Sequence, residues 1–75
     1  MKVAIYPGTF DPITKGHLDI IKRSSKFVDK LIIAVSENNK KKTLFKISER
    51  IEMIKEVIQD EGLSNIDVDS FNELL

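Results

Sequence analysis

The feature that most constrains the fold is the alternation of short apolar runs with longer segments whose apolar residues recur at helical spacing. The clearest run, residues 31–35, is apolar throughout, which is typical of a parallel strand covered on both faces. Residues 3–6 form a similar run that Pro7 and Gly8 end, and residues 66–68 predict a brief third strand. The order strand, helix, strand, helix, strand predicts an α/β fold with parallel strands.

Two helices are predicted between the strands. Thr14 is a suitable N-cap for a helix over about residues 15–27, and Gly62 is a suitable stop for a helix over about residues 47–61. The inward stripe of the first helix is predicted to comprise His17, Ile20, Ile21, Ser24, Phe27 and Val28. The inward stripe of the second is predicted to comprise Ile47, Ile51, Ile54 and Ile58. Residues 36–46 predict a polar loop, and residues 71–75 predict the start of a helical turn.

Right-handed crossovers between the strands predict a parallel three-stranded sheet in the order 3-2-1. This arrangement is one mononucleotide-binding half of a doubly wound, Rossmann-like fold, in which the first strand lies at the centre of the complete sheet. In a chain of 75 residues that strand has an open apolar edge, which monomers seldom tolerate. We therefore expect residues 1–75 to be a single truncated nucleotide-binding domain that associates with further copies.

Composition excludes several classes of function. The chain has no cysteine, which excludes disulfides and thiolate metal sites. Its longest apolar run is too short to cross a bilayer and its N-terminus lacks the layout of a signal peptide, so a cytoplasmic protein without membrane contact is expected. Residues 1–50 carry eleven Lys and Arg against five Asp and Glu, which suits an anionic ligand. A net charge of zero and 7% aromatic residues argue against nucleic acid as that ligand.

The loop after the first strand is the candidate site. Ligands of doubly wound sheets bind beyond the carboxyl ends of the strands, where residues 7–17 lie. Gly8 allows the backbone to approach a ligand, and Thr9 offers a hydroxyl and a backbone N–H group. Gly16 and His17 lie in the first turn of the helix, where free N–H groups and the helix dipole attract phosphate. These positions predict phosphate binding, but they do not indicate which reaction the site would catalyse.

Each of these features also has a simpler interpretation. A lone histidine in a first turn is more often a cap or a surface residue than a catalyst, and Thr9 could merely stabilise a turn. Three adjacent lysines, residues 40–42, are typical of a solvated loop. Asp11 precedes a proline and is interpreted as a turn former rather than an acid. Asp67 and Asp69 are interpreted as solvated carboxylates, so no metal site built from side chains is predicted.

Two motifs in the loop resemble a known superfamily. Residues 14–17, Thr-Lys-Gly-His, fit the (Thr or His)-x-Gly-His motif of the nucleotidyltransferases, and residues 8–12, Gly-Thr-Phe-Asp-Pro, fit their companion motif at the strand end. Residues 6–14 closely resemble the bacterial phosphopantetheine adenylyltransferase family. The resemblance continues through residues 41–42, 45, 49–50 and 71–75. It spans the whole chain but only the N-terminal half of the family's usual protein.

The resemblance implies a reaction in which the phosphate of 4′-phosphopantetheine attacks the α-phosphorus of ATP, giving dephospho-CoA and pyrophosphate. It implies that His17 and Thr9 are catalytic: His17 would stabilise charge on the α-phosphate, and Thr9 would align the reacting phosphates. Magnesium (Mg2+) is expected mainly on the phosphates of ATP, with water as its other ligand. The family also implies a homo-oligomer, a hexamer for the complete protein, that binds ATP, 4′-phosphopantetheine and CoA.

The binding residues are likewise implied by the resemblance. Those implied to bind ATP are Gly8, Thr9, Phe10 and His17. Those implied to bind the acceptor substrate are Thr9, Lys41, Leu74 and Leu75. The family's later Arg-Gly-x-Arg segment, which holds phosphates, does not occur in the chain, so we expect the chain alone to be inactive or impaired.

Two other interpretations stay open. A cytidylyltransferase or a nicotinate-mononucleotide adenylyltransferase would share the motifs and differ in the acceptor substrate. A non-catalytic nucleotide-binding or assembly fragment would bind the ligand without turnover. Pyrophosphate release with different acceptors separates these interpretations.

Overall fold

Residues 1–37 and 42–72 are described by a computed structural model of the chain. Their elements follow the predicted order: β1 (Val3–Gly8), α1 (Lys15–Ser25), β2 (Lys30–Ser36), α2 (Ile47–Asp60) and β3 (Ile66–Phe71). Neither helix in these ranges has the length and apolar character that crossing a lipid bilayer requires.

The described strands form one parallel sheet in the order β1-β2-β3, which confirms the predicted order 3-2-1. In the central strand β2, Ile33 lies beside Tyr6 of β1 on one side and Val68 of β3 on the other. Both helices pack on the same face of the sheet, because side chains from α1, α2 and β2 share one core cluster. Its buried members are Phe10, Ile21, Leu31, Ile33, Val35, Ile54 and Ile58.

Helix α1 begins after Thr14, the predicted N-cap, and ends at Ser25 rather than near residue 27. Ile21 is completely buried, as predicted, but Ile20 is 47% exposed and Phe27 is 77% exposed. The prediction that Ile20 and Phe27 face inward is therefore wrong. Phe27 lies beyond the end of the helix, so the helical spacing no longer determines its direction.

The two helices lie side by side, which explains the exposure of Ile20. Leu18 of α1 and Val57 of α2 line a common cleft, and Lys22 Nζ donates a hydrogen bond to Glu61 Oε1 at 2.8 Å. This hydrogen bond raises the pKa of Lys22 above its ordinary value. Because Ile20 is two positions from Leu18 and from Lys22, it lies on the opposite side of α1, where no described element covers it.

Helix α2 ends as predicted, with Gly62 at a φ of 68°, the left-handed conformation that glycine adopts most readily. The predicted inward stripe is confirmed. Ile54 and Ile58 are buried, and Ile47 and Ile51 pack against the core. The apolar stripe therefore determines which face of α2 meets the sheet.

The opposite face of the sheet is uncovered in the described part of the chain. Val3 and Ile5 are 49% and 64% exposed, and Ile32 of β2 is only partly buried. Within residues 1–37 and 42–72, the prediction that β2 is covered on both faces is wrong, because both crossovers place their helices on one face. The outer edge of β1 pairs with no strand in these residues, as expected.

All three described strands are longer than predicted, since β2 also includes Lys30 and Ser36. β1 includes Pro7 and Gly8, which pair with Ala34 and Val35 of β2. β3 continues to Phe71, whose carbonyl oxygen accepts a hydrogen bond at 2.7 Å from the N–H group of the residue after β2. The prediction that a helical turn begins at Phe71 is therefore wrong, and residues 73–75 lie outside the described residues.

Candidate functional site

The loop between β1 and α1 places predicted site residues at the carboxyl end of the sheet. β1 ends at Gly8, and Phe10 then adopts a φ of 49°, which turns the chain sharply. The Phe10 ring is 2% exposed and belongs to the core. A Cβ atom on Gly8 would lie 2.9 Å from Cε2 of Phe10, so glycine leaves the room that this ring requires. The Phe10 side chain therefore supports the loop by packing. The ATP contact that the resemblance implies for Phe10 is expected from its backbone.

Replacing Gly8 with alanine is expected to lower the free energy of unfolding by about 1–3 kcal/mol, because the added methyl group displaces the Phe10 ring. Gly16 provides the matched control. A Cβ atom there would lie 3.6 Å from Thr14 Oγ1, an ordinary contact, and alanine is favoured over glycine within a helix by about 1 kcal/mol. Urea unfolding of Gly8→Ala and Gly16→Ala measures the difference, and equal stabilities would contradict this account of Gly8.

His17 is the third residue of α1 and closes its N-terminal cap. Its Nδ1 atom accepts a hydrogen bond from the backbone N–H of Thr14 at 3.0 Å and lies 3.1 Å from the Thr14 hydroxyl. In return, Thr14 Oγ1 accepts a hydrogen bond from the backbone N–H of His17 at 3.3 Å. The ring centroid lies 4.7 Å from that of Phe10 and 6.3 Å from that of Tyr6. The imidazole is thus held along its Nδ1 edge, while Nε2 forms no hydrogen bond with a described residue.

The first turn of α1 contains no acidic residue. Helices favour Asp or Glu in that turn, because a negative charge offsets the partial positive charge of the N-terminus. Helix α2 follows this preference: its third residue, Glu49, accepts a hydrogen bond at 3.1 Å from the N–H of Lys46, whose own side chain forms no cap. Helix α1 instead has His17 in that position and begins with Lys15. Its N–H groups and partial positive charge are therefore suited to an anionic ligand.

Arg50 is an important residue whose role sequence reasoning missed. Its buried guanidinium donates from Nη1 to the carbonyl oxygens of Thr9 at 2.8 Å and Ser36 at 3.1 Å. Its Nε donates to the carbonyl oxygen of Phe45 at 3.2 Å. Arg50 thereby ties the ends of β1 and β2 to the segment before α2. Its position three residues after Ile47 places Arg50 on the apolar side of α2, and this placement in the sequence indicates a buried arginine.

The backbone and the side chain of Thr9 differ in their hydrogen bonds. The Thr9 carbonyl oxygen is fixed by Arg50, whereas the hydroxyl forms no hydrogen bond within residues 1–37 and 42–72. The side chain is partly buried just after the end of β1. The contact to phosphate groups that the resemblance implies for Thr9 stays a prediction.

Asp11 joins the loop to the segment before α2. Its Oδ2 accepts a hydrogen bond from the N–H of Leu44 at 2.6 Å, and its Oδ1 accepts one from the N–H of Phe45 at 2.9 Å. Asp11 does lie in a turn, as predicted, but its contacts reach across more than thirty residues. Both carboxylate oxygens have backbone donors, so Asp11 has a structural role rather than that of an acid.

The predicted site residues fall into two groups. Gly8, Thr9, Phe10 and His17 come together where β1 leads into α1. Lys41, Leu74 and Leu75 lie outside the described residues. The structure therefore describes the part of the site expected to bind ATP.

The acidic residues of the described ranges do not form a metal site. No three His, Asp or Glu side chains in residues 1–37 and 42–72 come together in a way that could hold a metal ion. Asp67 and Asp69 are exposed, as predicted, and Asp67 forms an ion pair with Lys30 Nζ at 2.8 Å.

Residues 5–74 match the family model described as cytidylyltransferase-like. The chain is 61% identical over all of its 75 residues to the phosphopantetheine adenylyltransferase of Clostridium botulinum strain Langeland / NCTC 10281 / Type F, and covers 44% of that protein. It is also 61% identical to the phosphopantetheine adenylyltransferase of strain Alaska E43 / Type E3, of which it covers 46%. The chain thus spans less than half the length of these relatives.

Solved structures share the fold. Over 97% of its length and with a TM-score of 0.82, the chain matches a bifunctional NMN adenylyltransferase/ADP ribose pyrophosphatase from Francisella tularensis complexed with AMP and a Mn ion. The identity is 25%, and 23% of that chain is covered. The chain matches NadR protein in complex with NAD and AMP-PNP over 99% of its length, with a TM-score of 0.82, 27% identity and 21% of that chain covered. Both matches confirm the predicted Rossmann-like α/β fold.

Proposed function

Because the chain belongs to the cytidylyltransferase-like family, we propose that it supplies the ATP-binding half of a phosphopantetheine adenylyltransferase. The observation that carries this proposal is the arrangement at the start of α1. There the His17 ring is held through Nδ1, beside helix N–H groups that no acidic residue of the first turn neutralises. Such a helix start binds phosphate through its N–H groups and its partial positive charge.

In the proposed reaction a phosphate oxygen of 4′-phosphopantetheine attacks the α-phosphorus of ATP. The new P–O bond forms while the bond from the α-phosphorus to the bridging oxygen of pyrophosphate breaks, which yields dephospho-CoA and pyrophosphate. The protein needs no covalent intermediate, so its contribution is alignment and charge stabilisation. His17 donates from Nε2 to an α-phosphate oxygen, where negative charge increases in the transition state. Thr9 donates its hydroxyl to the phosphates and keeps them in line.

Two side chains outside the chemistry support this alignment. Arg50 fixes the carbonyl oxygen of Thr9, and Asp11 fixes the backbone of Leu44 and Phe45 against the loop. The Arg50 side chain is anchored in α2, and both contacts tie the loop to distant parts of the chain, which limits its movement. A site that depends on positioning benefits from such rigid support.

Magnesium is proposed to reach the site on the phosphates of ATP, with water completing its ligands. The described residues supply no three side chains that could hold the ion themselves, and the oxygens of Asp11 already accept backbone hydrogen bonds. When bound, the ion neutralises phosphate charge. The Francisella tularensis structure was solved in complex with AMP and a Mn ion, which supports a role for a divalent cation.

The working form is proposed to be a cytoplasmic homo-oligomer, a hexamer as the family resemblance implies, that also binds CoA. Val3 and Ile5 have exposed apolar side chains, and one edge of β1 pairs with no described strand. Both features support association with further protein.

The test of the function uses a grafted enzyme, in which residues 1–75 replace the matching segment of the Clostridium botulinum strain Langeland relative. Pyrophosphate release is expected with ATP and 4′-phosphopantetheine, and not with glycerol 3-phosphate or nicotinate mononucleotide. Activity with only one of the latter two would indicate a different nucleotidyltransferase. ATP binding without pyrophosphate release from any acceptor would indicate a non-catalytic nucleotide-binding module. The unaltered relative is the control for the assay.

Replacing Thr9 with valine in the grafted enzyme is expected to lower kcat/KM by about 10–100-fold, because a hydrogen bond to a charged group contributes about 1.5–3 kcal/mol. The free energy of unfolding should not change, since the hydroxyl forms no hydrogen bond with a described residue. Thr43→Val is the matched control: it removes a hydroxyl that donates to the Phe45 carbonyl at 2.9 Å and should leave kcat/KM unchanged. Equal losses of kcat/KM in the two variants would refute the role of Thr9.

A further inference from the structure

We propose that Thr14 is a positioning residue that keeps the proton of the neutral His17 ring on Nε2. The inference rests on the proposed function, because it concerns the residue assigned to bind the α-phosphate. Thr14 contacts His17 in three ways: its N–H donates to Nδ1 at 3.0 Å, its hydroxyl lies 3.1 Å from Nδ1, and the same hydroxyl accepts from the His17 N–H at 3.3 Å.

The chemistry of these contacts determines the tautomer. A neutral imidazole carries one N–H group and one nitrogen lone pair. A backbone N–H can only donate, so the nitrogen that faces the N–H of Thr14 must present its lone pair. The Thr14 hydroxyl can donate to the same nitrogen and adds to this preference. The ring proton therefore lies on Nε2, the edge that forms no hydrogen bond with a described residue.

Packing fixes the orientation of the ring as well. The Phe10 ring lies against the imidazole, with centroids 4.7 Å apart and an angle of 54° between the ring planes. This packing holds the ring plane, and turning the imidazole over within that plane would remove Nδ1 from both donors of Thr14. Cap and core together therefore keep the imidazole in one orientation.

The consequence for the ligand follows from hydrogen-bond roles. Phosphate oxygens accept hydrogen bonds, so they are attracted by an N–H and repelled by a nitrogen lone pair. Because Thr14 leaves the N–H on Nε2, the ring is ready to donate before the ligand arrives. Thr14 thus contributes to affinity without touching the ligand. The proton is already on Nε2 in the free protein, so the free energy of placing it there is not subtracted from the free energy of binding.

The first experiment needs neither ATP nor activity. His17 is the only histidine of the chain, so nitrogen NMR of the 15N-labelled chain reports its ring without ambiguity. We expect a pyrrole-like Nε2, a pyridine-like Nδ1, and a scalar coupling across the hydrogen bond from the Thr14 amide nitrogen to Nδ1. A proton on Nδ1, or the absence of that coupling, would overturn the proposal.

Variants separate positioning from capping. Thr14→Ser keeps the hydroxyl and should preserve both the ring spectrum and ATP affinity. Thr14→Ala keeps the backbone N–H that faces Nδ1, so the proton should stay mainly on Nε2 and ATP binding should weaken by less than about tenfold, which corresponds to about 1.4 kcal/mol. Since Thr14→Ala also removes the helix cap, Thr14→Asp is the second variant: aspartate caps a helix well, but its carboxylate cannot donate to Nδ1 and should draw the proton there.

Thr43→Ala is the matched control, because it removes a hydroxyl that contacts Phe45 and leaves the cap of α1 intact. Its ring spectrum and ATP affinity should equal those of the unaltered chain. A wild-type ring spectrum in Thr14→Asp would overturn the proposal. Failure of the proposed function has a different result: the unaltered chain and the grafted enzyme would not bind ATP, while the His17 spectrum would still show the proton on Nε2.

Discussion

Replacing His17 with glutamate is expected to abolish ATP binding while the fold stays at least as stable. Glutamate is a preferred third residue of a capped helix, and Glu49 of α2 shows the contact it would form, accepting the N-cap N–H at 3.1 Å. A negative charge in the first turn should add about 0.3–1 kcal/mol to the free energy of unfolding. The same charge repels phosphate and removes the Nε2–H donor, so ATP affinity should fall by at least about 100-fold.

Calorimetric titration of the grafted enzyme with ATP, together with urea unfolding, measures both quantities for His17→Glu. His17→Gln is the intermediate variant, since its amide accepts the Thr14 N–H, still offers an N–H donor and carries no charge. Glu49→Gln is the matched control at the same position of α2 and should leave ATP affinity unchanged. The assignment of the anion site to the start of α1 fails if His17→Glu binds ATP as tightly as the unaltered protein.

The expected gain in stability itself argues for function. Local rules favour an acidic residue at the third position of α1, and the chain has a histidine there and a lysine at the first. Positions where a sequence departs from its local preferences tend to be functional sites. His17 is such a position, and α2, which has no such role, follows the rule with Glu49.

The element order and the sheet order could be predicted because both depend on local patterns. The continuous apolar run in β2 and the stripe in α2 are visible in the sequence, and right-handed crossovers leave one strand order. Exposure was harder to predict, as Ile20 and Phe27 show. Helical spacing says which residues share a side of a helix, but not which neighbour covers that side.

The candidate site was predictable for a similar reason and only in part. Thr9 and His17 flank a loop whose place at the carboxyl end of β1 follows from the fold. Asp11 and Arg50 contact backbone groups of residues far along the chain. Nearly every residue has such backbone groups, so no sequence pattern identifies these contacts. The second role of His17, as part of the cap, also depends on atomic geometry rather than on spacing.

Replacing Arg50 with methionine is expected to have the largest effect on stability. Methionine fills much of the same space, but the carbonyl oxygens of Thr9, Ser36 and Phe45 would each lose a donor next to the core. The Phe45 carbonyl keeps the Thr43 hydroxyl as a donor at 2.9 Å. A buried carbonyl that loses its partner costs about 1–3 kcal/mol, so the loss at Thr9 and Ser36 should lower the free energy of unfolding by about 2 kcal/mol or more. A chain of this size has a total stability of about 4–11 kcal/mol, so this loss is a substantial share of the total.

Urea unfolding followed by circular dichroism tests this expectation against a matched control. Arg23→Met removes an arginine whose side chain is 77% exposed and whose ion pair with Asp19 spans 3.3 Å, so its cost should be no more than about 0.5 kcal/mol. Arg50→Lys should be intermediate, because one ammonium group cannot reach all three carbonyl oxygens that the planar guanidinium serves. Under conditions where Arg50→Met is still folded, its ATP affinity should also fall, since Thr9 has lost its anchor. Equal stabilities of Arg50→Met and Arg23→Met would show that Arg50 does not hold the ends of β1 and β2 together.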